Sequence, residues 1–181
     1  MIEFPISKAF QFIEPGPVVL VSTAHKGKAN VMTLSWHTVI DFTPLIGCVI
    51  GPWDWSYNAL MATRECVIAV PTVDLLEKVV DIGNCSGKDV DKFARFGLTP
   101  LPAKDVQAPL IAECLANIEC RVVDTTLTDK YGLSILEGVR AWIDPDRKER
   151  RTCHANGDGT FVVDGETIDL KERMVKWQDT F

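Results

Sequence analysis

Asn30, Thr33, Ser35 and His37 lie in one mainly apolar stretch, Ala29-Asn30-Val31-Met32-Thr33-Leu34-Ser35-Trp36-His37, and are the polar residues of this chain best spaced to act together. On a strand, successive side chains point to opposite faces, so these polar groups fall on both. A strand buried for packing alone is mostly Val, Ile and Leu, or alternates apolar with polar. Polar groups that become buried need hydrogen-bond partners. A planar ligand with polar edges would supply them. A strand half exposed at a sheet edge or in a subunit interface shows the same pattern, and composition leaves both readings open.

Ser56 is a second candidate. Trp53 to Ala62 reads as a loop running into a short helix with Ser56 as its N-cap. The first turn contains no Asp or Glu, so the positive end of the helix dipole is left uncompensated from within, as an anion site requires. An ordinary serine cap is the plainer alternative. Lys92, in Asp91-Lys92-Phe93, falls in a short helix expected over Asp89 to Phe96 and reads by itself as a solvated surface charge. The six cysteines form no Cys-x-x-Cys, and the three histidines complete no zinc pattern. Cys114 and Cys120 are expected on one strand, roughly 20 Å apart, too far to bridge. Reduced buried thiols and no metal are therefore expected.

Several chemistries are excluded. There is no G-x-G-x-x-G, no G-x-x-x-x-G-K-[ST] and no G-x-S-x-G elbow, and no pair of carboxylates stands at a hydrolytic spacing. The net charge of −6 argues against a nucleic-acid or anionic-membrane surface, while a small anionic ligand needs only one or two cations. The longest apolar runs, such as Leu45 to Ile50, are too short to span a bilayer. Glu3 and the missing basic flank argue against a secretory signal, and a cytoplasmic location is expected.

The elements that must position these residues are short strands with punctuation. Val18 to Val21 and the Asn30 stretch flank His25-Lys26-Gly27-Lys28 as a hairpin. Further strands are expected at Leu45 to Ile50, Cys66 to Val70, Cys114 to Val123 and Leu133 to Ile143. Asp74-Leu75-Leu76-Glu77 is a capping-box pattern opening a helix that ends at Gly83. Arg147 to Arg151 reads as a solvated connection to a tail. There Asp164-Gly165, between Phe161-Val162-Val163 and Glu166-Thr167-Ile168, is a type I′ hairpin signal. Asp169 to Glu172 offers another capping box, with Leu170, Met174 and Trp177 at helical spacing. The expected fold is mainly β, an antiparallel split barrel of Greek-key type with short helices and a hairpin-helix tail. The expected division is a barrel domain over 1–146 and a tail, 147–181, packed on the barrel or a dimer partner.

With these pieces in view, the chain resembles the flavin reductase-like family, the FMN-binding split barrels that include flavoredoxin. The resemblance runs from about Pro15 to Val123 and returns at Leu136 to Val139 and Gly159-Thr160-Phe161. It rests on Ala29-Asn30-Val31-Met32-Thr33 with Ser35-Trp36, on Trp55-Ser56-Tyr57-Asn58, and on Asp89-Val90-Asp91-Lys92-Phe93, in that order and spacing.

The resemblance implies that Asn30, Val31, Met32 and Thr33, with Ser35, Trp36 and His37, border an isoalloxazine ring, largely through backbone groups. It makes Ser56 and Lys92 phosphate ligands, with Asn58 beside them. Phe161 matches a tail aromatic that approaches the flavin, and Tyr131 stands where some relatives carry a histidine near the ring. It also implies a homodimer with the flavin near the interface. The chemistry of such a site is the cofactor's, so no residue is assigned as catalytic. The expected function is an NAD(P)H:flavin oxidoreductase that transfers hydride to flavin N5 and supplies reduced flavin to a monooxygenase or another redox protein. Two rivals stand beside it: a flavoredoxin-like FMN electron carrier, and a small-molecule-binding barrel without flavin.

Overall fold

A computed structural model describes residues 1–12 and 16–174. Its centre is an eight-stranded antiparallel sheet. The first strands are β1 (Ile2–Phe4), β2 (Val19–His25), β3 (Lys28–Leu34), β4 (His37–Asp41), β5 (Leu45–Val49) and β6 (Glu65–Val70). The long strands β9 (Ala116–Asp124) and β10 (Leu133–Ile143) complete it, after a small pair formed by β7 (Pro100–Leu101) and β8 (Leu110–Ile111). The order is β3-β2-β6-β9-β10-β5-β4, with β1 added to β10. The barrel is split: β3 and β4 are its two ends, joined only through the exposed corner Ser35-Trp36.

β2 explains why the sheet is closed on both sides. Val19 and Val21 point into the barrel core with Ile46, Ile68, Ile118 and Leu136. Leu20 points the other way, into a second core with Val31, Ile82 and Phe93. A strand buried on both faces carries a continuous apolar run, as Val18 to Val21 does. The second core is covered by α2 (Leu76–Gly83) and α3 (Lys92–Phe96), while α1 (Trp55–Thr63) packs Leu60 into the first. α4 (Thr128–Tyr131) leads into β10. Among the described residues, no helix is long and apolar enough to cross a membrane.

The mainly β, split-barrel expectation holds, and several local expectations do not. The Ala29 to His37 stretch is two strands broken at Ser35-Trp36, because the chain must cross from one end of the split sheet to the other. Asp54 takes the N-cap position of α1, so Ser56 lies inside the helix. The Asp89 to Phe96 helix begins only at Lys92, where the Asp91 carboxylate accepts from Ala94 N at 3.1 Å. Asp74 caps no helix by side chain: it accepts from Thr72 Oγ1 and from Arg147, so Arg147 is not merely a solvated charge. The strand expected from Cys114 starts at Ala116, because Asn117 turns back to bond both Ile111 N and Ile111 O. All six cysteines are free.

The tail hairpin is also elsewhere. β11 (Cys153–Ala155) pairs with β12 (Phe161–Val163), and residues 166–168 form no strand. Asp164 is not spent on a turn, because its carboxylate accepts from Thr152 N and Thr152 Oγ1, both at 2.7 Å. Within the described part of the expected tail helix there is one 3-10 turn, Lys171–Arg173. Trp177 lies outside the described residues.

Candidate functional site

β3 pairs along one edge with β2, and among the described residues no strand pairs with its other edge. Its polar side chains answer the question raised by their alternation. Asn30 faces the α1 side and donates Nδ2 to Ser56 Oγ at 2.9 Å. Thr33 faces the other side and donates to Val79 O of α2 at 2.6 Å. These two side chains are therefore satisfied by the chain itself, and the strand's capacity for a ligand lies in its backbone edge away from β2. Val31 is buried, Met32 packs against the barrel core, and Ser35 and Trp36 are exposed at the corner.

Beside Asn30 opens a cleft of about 860 Å³, within the usual range for small-molecule sites. Its floor is set by register: Thr23 pairs with Asn30 and His25 with Lys28, so all four share one face of the β2–β3 hairpin. Asn58 and Trp55, at the start of α1, form one wall. The loop through Gly87 and Lys88 forms the other. A Cβ at Gly87 would stand 2.0 Å from Asn30 Oδ1 and 2.8 Å from Trp55 Cδ1, so only glycine lets this loop approach so closely. The Thr23 hydroxyl is buried in this lining and has no hydrogen-bond partner among the described residues. Such an orphan is costly unless a ligand uses it.

Lys92 is buried, at 5% exposure, against the expectation of a solvated charge. It donates Nζ to Ile82 O at 2.8 Å, the one hydrogen bond seen for its three donors among the described residues. Burial pushes its ammonium pKa down, while nearby Cys85 and Asp54 push it up. Asp54 stands at the head of α1 and accepts from Gly51 N at 3.0 Å. The first turn of α1 itself holds no acid.

His37 opens β4 and bonds Pro17 O through Nε2 at 2.6 Å, while its buried Nδ1 has no partner among the described residues. Burial pushes its pKa down, the bond to Pro17 pushes it up, and nearby His154 pushes it down. His154 is held at 3.1 Å by Asp164, and Val18 N donates to Cys153 O, so the tail is sewn to the barrel beside His37. Of the twelve expected contacts, Asn30 and Asn58 line this cleft and the other ten do not. Phe161 packs against the second core, and Tyr131 is exposed on α4 beneath Lys130. The sequence reading missed Thr23 and Gly87. A glycine between Ser86 and Lys88 was a visible signal, whereas an orphaned hydroxyl is visible only once its neighbours are placed.

Comparison with known proteins fits this geometry. A sequence model for the flavin reductase like domain matches residues 13–161. An uncharacterized protein of Archaeoglobus fulgidus is 39% identical over 111 residues, 61% of this chain and 63% of that protein. The uncharacterized protein YddH of Escherichia coli is 26% identical over 92% of this chain and 96% of its own length. Among solved structures, an FMN-binding domain of a flavin reductases-like enzyme from Shewanella baltica superposes with a TM-score of 0.86 at 26% identity, covering 93% of this chain and 96% of that one. Flavoredoxin of Desulfovibrio vulgaris shares the fold at 22% identity, with a TM-score of 0.77 over 85% of this chain and 89% of its own.

Proposed function

Because the chain belongs to the flavin reductase-like family, we propose that it binds FMN and acts as an NAD(P)H:flavin oxidoreductase. The observation that carries this reading is the cleft between β3, the head of α1 and the Gly87 loop, lined by a Thr23 hydroxyl with no partner among the described residues. Asn30 to Thr33, with Ser35, Trp36 and His37, would border the ring. Ser56, Asn58 and Lys92 would hold the phosphate. When bound, FMN supplies the hydride acceptor.

The protein's own part is binding and orientation. The N–H groups at the head of α1 and the Lys92 ammonium offset an anion's charge. The β3 edge away from β2 offers donors and acceptors to a ring that has both. His37, kept neutral by burial, adds no positive charge beside them. No side chain is required as nucleophile or general base.

The dimer belongs to the same proposal. Trp36 and Ile40 are each at least half exposed on the single chain, and a second copy is the occupant this reading assigns to these side chains. Light scattering that found a stable monomer with full FMN affinity would overturn it. The tail from residue 147 is assigned by this reading to pack on the barrel or on the dimer partner, and residues 175–181 lie outside the described ones. The cytoplasm is the compartment where NAD(P)H would be at hand, and a monooxygenase or redox protein is the proposed recipient of reduced flavin.

The test is the visible spectrum of the purified protein before and after NADH or NADPH is added without oxygen. Flavin absorbance that bleaches on addition is expected. A colourless protein that takes up no FMN overturns the reading. Consumption of NAD(P)H with added free flavin separates a reductase from a flavoredoxin-like carrier.

A further inference from the structure

Trp53 is 70% exposed, yet it is not a loose side chain. A Cβ built on Gly51 would stand 2.3, 2.3 and 2.5 Å from three consecutive atoms of the Trp53 six-membered ring. Nearly equal distances to three neighbouring ring atoms mean that the face of the indole, rather than its edge, covers Gly51. Gly132 completes the seat. Its own missing Cβ would be 3.1 Å from Trp53 Cη2 and 3.3 Å from Gly51 Cα, so two bare backbones touch beneath one ring.

The seat is rigid. Ile50 N donates to Gly132 O, Asp54 N to Gly51 O, and Gly51 N to the Asp54 carboxylate, at 2.9, 2.9 and 3.0 Å. One face of the indole is therefore held against glycine, and the other lies open three residues ahead of Ser56. A flat, preorganised π-face gains most from a flat ring stacked on it.

A cation lies two residues before Gly132 in the chain. Tyr131, which precedes Gly132, is 54% exposed and carries Lys130 Nζ 4.9 Å from its ring centroid. Aromatic face and ammonium together are what a nucleotide asks for, stacking for the base and charge for the phosphate. We propose that Trp53, seated on Gly51 and Gly132, is the stacking platform for the adenine of the nicotinamide dinucleotide that donates hydride. The nicotinamide ring of that donor must reach the flavin, which leaves adenine as the ring free to stack elsewhere. The proposal rests on the flavin reductase reading for the identity of the donor.

The probe is ADP-ribose, which carries the adenylate and no redox chemistry, titrated by calorimetry into the full-length protein with and without FMN. The parent should bind it, and Trp53→Ala should weaken binding about 5- to 150-fold, the range that base–aromatic stacking supports. Trp53→Phe should recover most of the loss. Gly51→Ala leaves the indole in the sequence but pushes it off its seat, and it should bind ADP-ribose as weakly as Trp53→Ala. FMN affinity should stay at the parent value in all three variants. Equal ADP-ribose affinity in the parent and Trp53→Ala overturns the proposal, as does a parent that does not bind the probe. Loss of the dimer in Trp53→Ala with ADP-ribose binding intact also overturns it and makes Trp53 a contact between copies. Failure of FMN binding in the parent is a separate result and strikes the flavin reading.

Discussion

Asn30 Nδ2 donates to Ser56 Oγ at 2.9 Å, tying the edge strand of the split barrel to the first turn of α1. One hydrogen bond thereby holds together two sequence stretches 26 residues apart. The Gly87 loop lies directly on Asn30 and on Trp55, the residue before Ser56.

Gly87→Ala tests how tightly that junction is built. The new methyl must displace the Asn30 amide, which breaks its bond to Ser56 and spoils the wall of the cleft. Losing a typical neutral hydrogen bond costs about 0.5–1.5 kcal/mol, so thermal stability should fall modestly. FMN affinity should fall by more than that stability change implies. A variant that binds FMN like the parent would show that the junction does not shape the ligand site.

The phosphate assignment is tested by Lys92→Met and Ser56→Ala. Hydrogen bonds to a charged group are worth roughly 1.5–3 kcal/mol, so each change should weaken FMN binding about 10- to 150-fold. Methionine keeps the buried stem of Lys92 and limits the loss of packing, though Ile82 O loses its donor. Riboflavin lacks the phosphate and should bind all three proteins nearly alike. The double variant should show less than the summed effect, since both groups act on one anion. Parent-like FMN binding in both single variants would place the phosphate elsewhere.

Thr23→Val separates stability from binding. Removing a buried hydroxyl that has no partner among the described residues should stabilise the ligand-free protein by about 1 kcal/mol. The same change should weaken FMN about 2- to 10-fold if the ligand uses that hydroxyl. Thermal denaturation with and without FMN reads both effects. A variant stabilised equally in both conditions would remove Thr23 from the site.

His37 gives a pH dependence. Its folded pKa is pushed below the usual value of about 6.5, chiefly by burial. The unfolded chain therefore binds the proton more readily. The stability contributed by neutral His37 is present above about pH 6.5 and is lost as pH falls from there toward the folded value. Glutamine can still donate to Pro17 O and does not titrate. Urea midpoints should fall less between pH 7.5 and 5.5 for His37→Gln than for the parent; equal falls would assign the acid sensitivity to other groups.

Local chemistry was enough to read much of this protein from its sequence. Lys26-Gly27 closes the β2–β3 hairpin as its pattern predicts, because both residues adopt positive φ, 51° and 74°, in a two-residue turn. Val18 to Val21 reads as a strand from its apolar run, and Asn30 and Ser56 stand out by type and position, whereas Lys92 enters only through the family resemblance. What the sequence could not determine is where side chains end once distant strands meet. Asp164-Gly165 has a hairpin composition, but Thr152 and His154 hold the Asp164 carboxylate and the strand pairs elsewhere. Lys92 looked solvated because nothing local shows that the second core closes over it. Trp53 was only an aromatic in a loop until Gly51 and Gly132, 81 positions apart in sequence, came together beneath it. Turns and strand character depend on neighbouring residues, so sequence determines them. Burial, an orphaned hydroxyl and a seated indole depend on groups brought close only when the barrel closes, so tertiary structure alone decided them.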